Sequence, residues 1–517
     1  MNIQKVKIIS VFLIAVFFIS IVGSGCLQTN AKENTLTIVE VFGPDTSGSL
    51  DPGKGWTGWY TRQAGIYETL VSYDENMNLQ AELAKSYTAI SQTEWEITLR
   101  ENVVFHDGTP MNADSILFSF NRVLDPSNSR SSEYSFIKDI RKIDDHTIVI
   151  ETYEPYAALV PSLTDPLLSI ISPKSTNPDK TPIGTGPFKF VSFESGTSLD
   201  LVRNENYWNG EVKTEKIHIK YNTDSAARTL MLKSGDVDIA RDILPSEYAS
   251  LNANQSFNVL SEEILRNYFI YINSDKEPFN DARVRQALSY ALNRQEIVDT
   301  ALEGVSGTPA VGPFTNSLPW NANDKINVYD NNTQKALALF AEAGILPGND
   351  GKLYFKGEPF TIEIQTYTSR AVLPASAEVI ASQYEDIGIT VSLKFVSGMN
   401  AFDLTNYDMA FAAWVTSPTG DPDYFVSSHF QTNGTYAEGW TNYSNAQVDT
   451  WIEEARVTFD FDKRKELYDN IQIQTQEDLP LIFVFYGVEN YAMTKDVRGF
   501  VIYPNEYTEV TKNIYKV

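Results

Sequence analysis

Hydrophobic and polar positions alternate over Leu36–Phe42 and Trp95–Arg100, and each run predicts a half-buried strand. Phe188–Phe193, Leu199–Arg203 and Lys216–Tyr221 read the same way, and Ile140–Tyr153 reads as a strand pair with His146 in its turn. Ile116, Leu117, Phe120 and Leu124 share one helical face behind Asn112, so a capped helix is expected over Ala113–Leu124. Val284, Ala287, Leu288, Ala291 and Leu292 keep that spacing across Asp281–Glu303, which reads as one helix stopped by Gly304. Further helices are expected through Ile66–Leu70 and at Ala226–Ser234, Thr333–Ala343, Ala446–Val457 and Lys463–Asp478. Leu481–Tyr486 and Tyr491–Met493 read as two returning strands.

Phe360–Tyr367, Pro374–Asp386 and Ile389–Val396 form a strand–helix–strand pattern, the crossover that a parallel pair requires. Tyr407–Trp414 then gives an apolar run with one charge, Asp408, which suits a strand covered on both faces. Its continuation, Thr416-Ser417-Pro418-Thr419-Gly420, is turn chemistry, and Asp421 can cap a helix with Pro422 at its first position and Asp423 in its first turn. In open α/β sheets ligands sit beyond the carboxyl ends of strands, which places Trp414 and this loop at a cleft. The same residues also fit a plain core strand followed by an ordinary helix. Earlier in the chain, Trp56, Trp59 and Tyr60 crowd the Gly-rich stretch LDPGKGWTGWYT, either as a cleft wall or packed beneath their loop.

Composition narrows the chemistry. A formal charge of −26 leaves no basic stripe for nucleic acid. Of the four histidines, no two have helical metal-ligand spacing, and no resident metal or other cofactor is implied. His106, in the turn His106-Asp107-Gly108, is expected to face solvent. The chain has neither H-E-x-x-H nor G-x-S-x-G; Ser135–Lys138 matches S-x-x-K without its companion boxes. Gly184-Thr185-Gly186 is too short for a phosphate loop and reads as a tight bend between domains. At the N-terminus, Lys5 and Lys7 precede the apolar core Ile8–Val22 and then Gly23-Ser24-Gly25-Cys26. This is a signal-peptide pattern that resembles a lipobox, with the sole cysteine as the lipidated residue. An uncleaved anchor is the alternative.

Several segments together resemble the family 5 extracytoplasmic solute-binding proteins, the peptide- and nickel-binding components of ABC importers. They are WEITLRENVVFHDGTPMNADSILFSF, PIGTGPFKF with LVRNENYWNG, PFNDARVRQALSYALNRQEIV, AEVIASQYEDIGITVSLK and YDMAFAAW with GDPDYF. They occur in family order from about Leu36 to Ile502. The resemblance implies an α/β periplasmic-binding-protein fold of type II, with two hinged lobes and a domain inserted in the first. Residues 1–25 would be the signal peptide and 26–35 a lipidated tether. Residues 36–75, 188–270 and 491–517 would form lobe I, 76–187 the inserted domain and 271–490 lobe II.

The implied role is an extracytoplasmic lipoprotein at the outer face of the cytoplasmic membrane, or periplasmic, that hands short peptides to ABC permease subunits. Trp56, Trp59, Tyr60 and Trp414 would cover the peptide, with Ser417 in the adjoining loop. Arg370 would pair its carboxylate, and Asp421 or Asp423 its amine. The amine-binding aspartate of dipeptide binders has no counterpart within Thr416–Gly420, and the histidine of nickel binders is replaced near Gly434. A nickel or other metal chelate is the alternative ligand, an exported hydrolase the remote one, and the chain is not expected to be an enzyme.

Overall fold

The computed structural model describes residues 34–44 and 48–517; the expected signal peptide and Cys26 lie outside the described residues. Among the described residues no helix is long and apolar enough to cross a membrane.

Two long antiparallel strands, Phe257–Ile272 and Leu481–Thr494, run side by side through the middle of an eleven-stranded sheet. On one side of them lie Met409–Val415, Thr361–Tyr367 and Thr390–Val396 in that order. On the other side lie Ile239–Arg241, Thr35–Glu40, Lys216–Tyr221, Ser198–Arg203 and Phe188–Glu194. The long strands thus belong to both halves. Phe257–Glu263 pairs with Val488–Thr494 against the second group, whereas Arg266–Ile272 pairs with Met409–Val415 of the first. Between these stretches the ladder breaks: Glu263 faces Val488, and the next pairing is Asn267 with Tyr486. Such a bulge bends the strand and turns a side chain out of register. Here it spans Ile264, Leu265 and Arg266 opposite Gly487.

The first half is built on the expected strand–helix–strand unit. Thr361–Tyr367 and Thr390–Val396 are parallel, joined by the helix Val372–Asp386. Leu373, Ala377, Ile380 and Tyr384 bury one face of that helix, with helical spacing. Burial of each large side chain there contributes about 1.5–3 kcal/mol. A separate four-stranded antiparallel sheet, Ala84–Ala89, Glu94–Leu99, Thr147–Thr152 and Ile137–Asp144, has its own core around Ile97, Ile116, Phe120 and Ile150. Its helix, Ala113–Leu124, begins at Asn112, whose Oδ1 accepts the Ser115 N–H at 3.2 Å.

Four local expectations are corrected. The aromatic stretch near Trp59 is itself a helix, Thr57–Gln63, and Ile66–Leu70 is not one. Asp281–Glu303 is two helices, Ala282–Tyr290 and Arg294–Ala301, because Asn293 adopts an extended backbone and caps the second through the Glu296 N–H. Leu481–Thr494 is one continuous strand, held across Gly487 by pairing with Gly307. His106 is half-buried and not out in solvent, with Nε2 3.0 Å from the Gly186 carbonyl, and desolvation lowers its pKa to about 4. The glycines beside it are required by close approach. A Cβ on Gly184 would lie 2.1 Å from the Ile66 carbonyl oxygen, and one on Gly186 2.3 Å from that of Gly65.

Candidate functional site

Met409–Val415 is almost wholly buried, and its one outward residue near the end is Trp414. Helix Thr57–Gln63 brings Trp59 and Tyr60 toward it, and Trp56 stands at that helix's start. Trp56 meets Trp414 edge to face at 6.4 Å, and Trp59 meets Tyr507 at 4.9 Å. Together with Tyr424, Tyr436 and Trp440, the rings of Trp56, Trp59 and Trp414 wall a cavity of about 350 Å³ between the halves of the sheet. Trp56, Trp59, Tyr60, Arg370 and Trp414 all line it. Behind Trp414 the wall is braced by His429, stacked on Phe425 at 4.0 Å and on Tyr436 at 4.9 Å. His429 Nδ1 lies 3.2 Å from the Phe425 carbonyl and Nε2 3.0 Å from the Tyr271 hydroxyl. Nδ1 also lies 2.8 Å from the Ser428 hydroxyl, so both ring nitrogens have hydrogen-bond partners. Burial lowers the pKa of His429 to about 3, so the ring is neutral.

The cavity floor is ionic, and its pairings were not legible in the sequence. Arg266, turned out by the bulge, donates from Nε and Nη2 to Glu506 at 3.1 and 3.0 Å. Arg241 contacts Glu489, and also Glu40 at 3.1 Å and Glu506 at 3.3 Å. Burial resists charge on Glu506, yet Arg266 and Arg241 hold it below the usual carboxylate range. For Glu489 burial wins over Arg241, and its carboxyl is pushed up to about 8. The guanidiniums of Arg241 and Arg266 are therefore already matched within the protein. Arg370 differs. It lies beyond the strand Thr361–Tyr367, with its guanidinium 5.5 Å over the Phe42 ring. Its guanidinium has no carboxylate within 4.0 Å and no hydrogen bond among the described residues. A guanidinium is never discharged at ordinary pH, and the acid that acts on this one, Glu506, is already bound by Arg266 and Arg241, so the cavity holds a positive charge with no ion pair of its own. The sequence signal for Arg266 was available: it is a charge set inside the apolar run ILRNYFIYI.

An adjoining cavity of about 780 Å³ shares Trp56, Trp414, Tyr424 and Tyr436 and opens toward the four-stranded sheet's segment, at Glu133 and Tyr156. Arg130 spans its edge, its guanidinium 3.9 Å over Trp56 and 2.9 Å from Asp165. Asp421 and Asp423 line this second cavity, not the first, and both carboxylates have partners. Asp421 takes a two-bond fork from Arg464, at 2.5 and 2.9 Å, and its Oδ1 accepts the Asp423 N–H at 3.0 Å. Asp423 accepts from Arg456 Nε and from the Tyr156 hydroxyl, each at 2.9 Å. Ser417 is fully buried, lines neither cavity, and its hydroxyl has no hydrogen-bond partner among the described residues. Lys138, the lysine of the S-x-x-K match, is half exposed and paired with Glu151 at 2.5 Å, so it is not poised as a base for Ser135.

A sheet shared by two halves through two crossing strands, with a cavity between them, is the type II periplasmic-binding-protein arrangement, a class that captures solutes. The family described as bacterial extracellular solute-binding proteins, family 5 Middle, matches residues 78–437, and the chain belongs to it. Its members are extracytoplasmic binding components of transport systems. The chain is 25% identical over 445 residues to the nickel-binding protein NikA of Staphylococcus aureus, covering 85% of this chain and 87% of that one. It is 27% identical over 463 residues to the oligopeptide-binding protein AppA of Bacillus subtilis, covering 85% and 84%. The crystal structure of a nickel ABC transporter protein from Bacillus halodurans superposes with a TM-score of 0.77 at 30% identity, over 93% of this chain and 100% of that one.

Proposed function

We propose that this chain is an extracytoplasmic lipoprotein, tethered through Cys26, that captures short peptides and delivers them to the permease of an ABC importer. The observation that carries the reading is Arg370, a permanently charged guanidinium without an anionic partner in a cavity walled by aromatic rings. A terminal carboxylate supplies the missing anion in the geometry a guanidinium prefers. Trp56, Trp59, Tyr60 and Trp414 cover the apolar body of the ligand. The two halves close on it by bending where the ladder breaks opposite Gly487, and the ligand favours closure because only the closed form contacts it from both sides. The name of the Bacillus subtilis relative supports a peptide. In this reading residues 76–187 are the inserted domain and binding is the whole activity, with no catalytic step.

A metal chelate is the second reading, supported by the nickel-binding relatives. No group of three or more His, Cys, Asp or Glu side chains is arranged for a metal among the described residues. The metal would therefore arrive already coordinated by small organic ligands, one of whose carboxylates meets Arg370. Thermal unfolding against di- to pentapeptides and against nickel with histidine separates the readings. Peptides raise the midpoint in the first case and only nickel with histidine does so in the second.

A further inference from the structure

The same cavity holds a second charged side chain with no ion pair of its own, Arg228 acting on it only from its main-chain side. Asp242 follows the strand Ile239–Arg241 and lines the cavity from the half of the sheet opposite Arg370. Its main chain is fixed on both sides. The N–H donates to the Asn490 carbonyl at 2.8 Å, and the carbonyl accepts from Arg228 Nη2 at 2.6 Å. Its φ is +48°, in the left-handed region that costs a side-chain-bearing residue about 1–2 kcal/mol. Such conformations persist where surrounding structure enforces them, often at ligand sites. The carboxylate makes no hydrogen bond and no ion pair within 4.0 Å among the described residues. The other acids of this cavity are engaged within the protein: Glu506 is ion-paired with Arg266 and Arg241, and Glu489, whose carboxyl is raised by burial, contacts Arg241. Asp421 and Asp423 are committed to Arg464 and Arg456.

Two opposite charges, Asp242 and Arg370, are thus left open to one cavity of about 350 Å³, each presented by a different half of the sheet. One small molecule carrying both an ammonium and a carboxylate neutralises both. A cavity of that size, at the low end of the range for small ligands, suits a body of dipeptide dimensions. We propose that Asp242 holds the cationic nitrogen of a small zwitterionic solute whose carboxylate sits on Arg370, so that the solute's own charges tie the two halves together. The assignment rests on the peptide-capture reading and narrows it. It moves recognition of the amine from the loop after Trp414 to the opposite half of the sheet. It also makes a free amino terminus a condition of tight binding.

The test is calorimetric titration with alanyl-phenylalanine and with its N-acetyl derivative, on the wild-type chain and on Asp242→Asn. A charge-assisted hydrogen bond to a buried partner predicts a loss on the order of 10- to 100-fold in affinity when either the amine is acetylated or the carboxylate is neutralised. The two losses should not add, since both remove the same contact. Asp242→Gly, which accepts the left-handed backbone, should bind as weakly as Asp242→Asn, and this separates loss of charge from misfolding. Equal binding of the free and acetylated dipeptide by wild type overturns the assignment while leaving peptide capture standing. Undiminished binding by folded Asp242→Asn does the same. Failure of wild type to bind any free di- to pentapeptide removes the capture reading itself, and the assignment with it.

Discussion

Replacing Asp421 by Asn should unravel the wall of the cleft and leave the chemistry of recognition untouched. Asp421 and Arg464 are 3% and 6% exposed at their side chains and meet in a two-bond fork at 2.5 and 2.9 Å. The remaining donors of Arg464 are used as well, Nε on the Ala455 carbonyl at 2.9 Å and Nη2 on the Tyr468 hydroxyl at 3.0 Å. Removing one charge from a buried pair leaves the other uncompensated in low dielectric, a loss of about 3–5 kcal/mol. Asp421→Asn should therefore lose about that much stability in urea unfolding followed by tryptophan fluorescence. Arg464→Met should lose a similar amount, and the double variant less than the sum by about 2 kcal/mol or more. At low denaturant the folded fraction should bind peptide with nearly wild-type affinity. The reasoning is refuted if Asp421→Asn is within about 1 kcal/mol of wild type in stability yet loses peptide binding. Its carboxylate would then be serving the ligand and not the fold.

Three further outcomes follow from buried groups and tight backbone. Gly420 has φ +68°, and an added Cβ would lie 2.3 Å from the Tyr73 ring, so Gly420→Ala should cost about 2–4 kcal/mol by urea unfolding. His429 has its pKa lowered to about 3 by burial, so its contribution to stability is present above the unfolded value near 6.5 and is lost as pH falls toward 3. Between pH 7 and 5 that loss is about 2 kcal/mol, and His429→Gln should show a shallower decline by about this amount. Glu489 has the opposite sign. Its carboxyl is raised to about 8 chiefly by burial, so its contribution is full below the ordinary carboxylate range and lost as pH rises through 8. Glu489→Gln should flatten the decline in stability between the ordinary carboxylate range and pH 8.

Periodic elements far from the cleft were readable because one face of each is buried. Lys216–Tyr221 and Ala446–Val457 have the bounds their patterns imply, and the crossover from Thr361–Tyr367 to Thr390–Val396 is in place. The pattern was silent where burial changes along an element. Phe257–Ile272 begins with a half-exposed stretch and ends enclosed on both faces, so it has no constant period. Thr57–Gln63 was hidden because Gly58 and the neighbouring turn residues read as loop. Three of the cavity's aromatics could be picked out by their crowding at Trp56, Trp59 and Tyr60. Its ionic floor could not, since Arg241 and Glu489 are separated by 248 positions and meet only once the long strands are paired. Asp421 had the right sequence position for a ligand group, but nothing local announced that Arg464 would occupy it.

The central claim is that a short peptide, held by its own terminal charges, is the captured solute. The most direct measurement is native mass spectrometry of the folded chain after exchange against an equimolar mixture of di- to pentapeptides together with nickel and histidine. The account predicts one adduct per chain, with the mass of a short unblocked peptide, that is lost in Arg370→Gln. An adduct containing nickel alone, or a bare chain in the presence of every peptide, would contradict it.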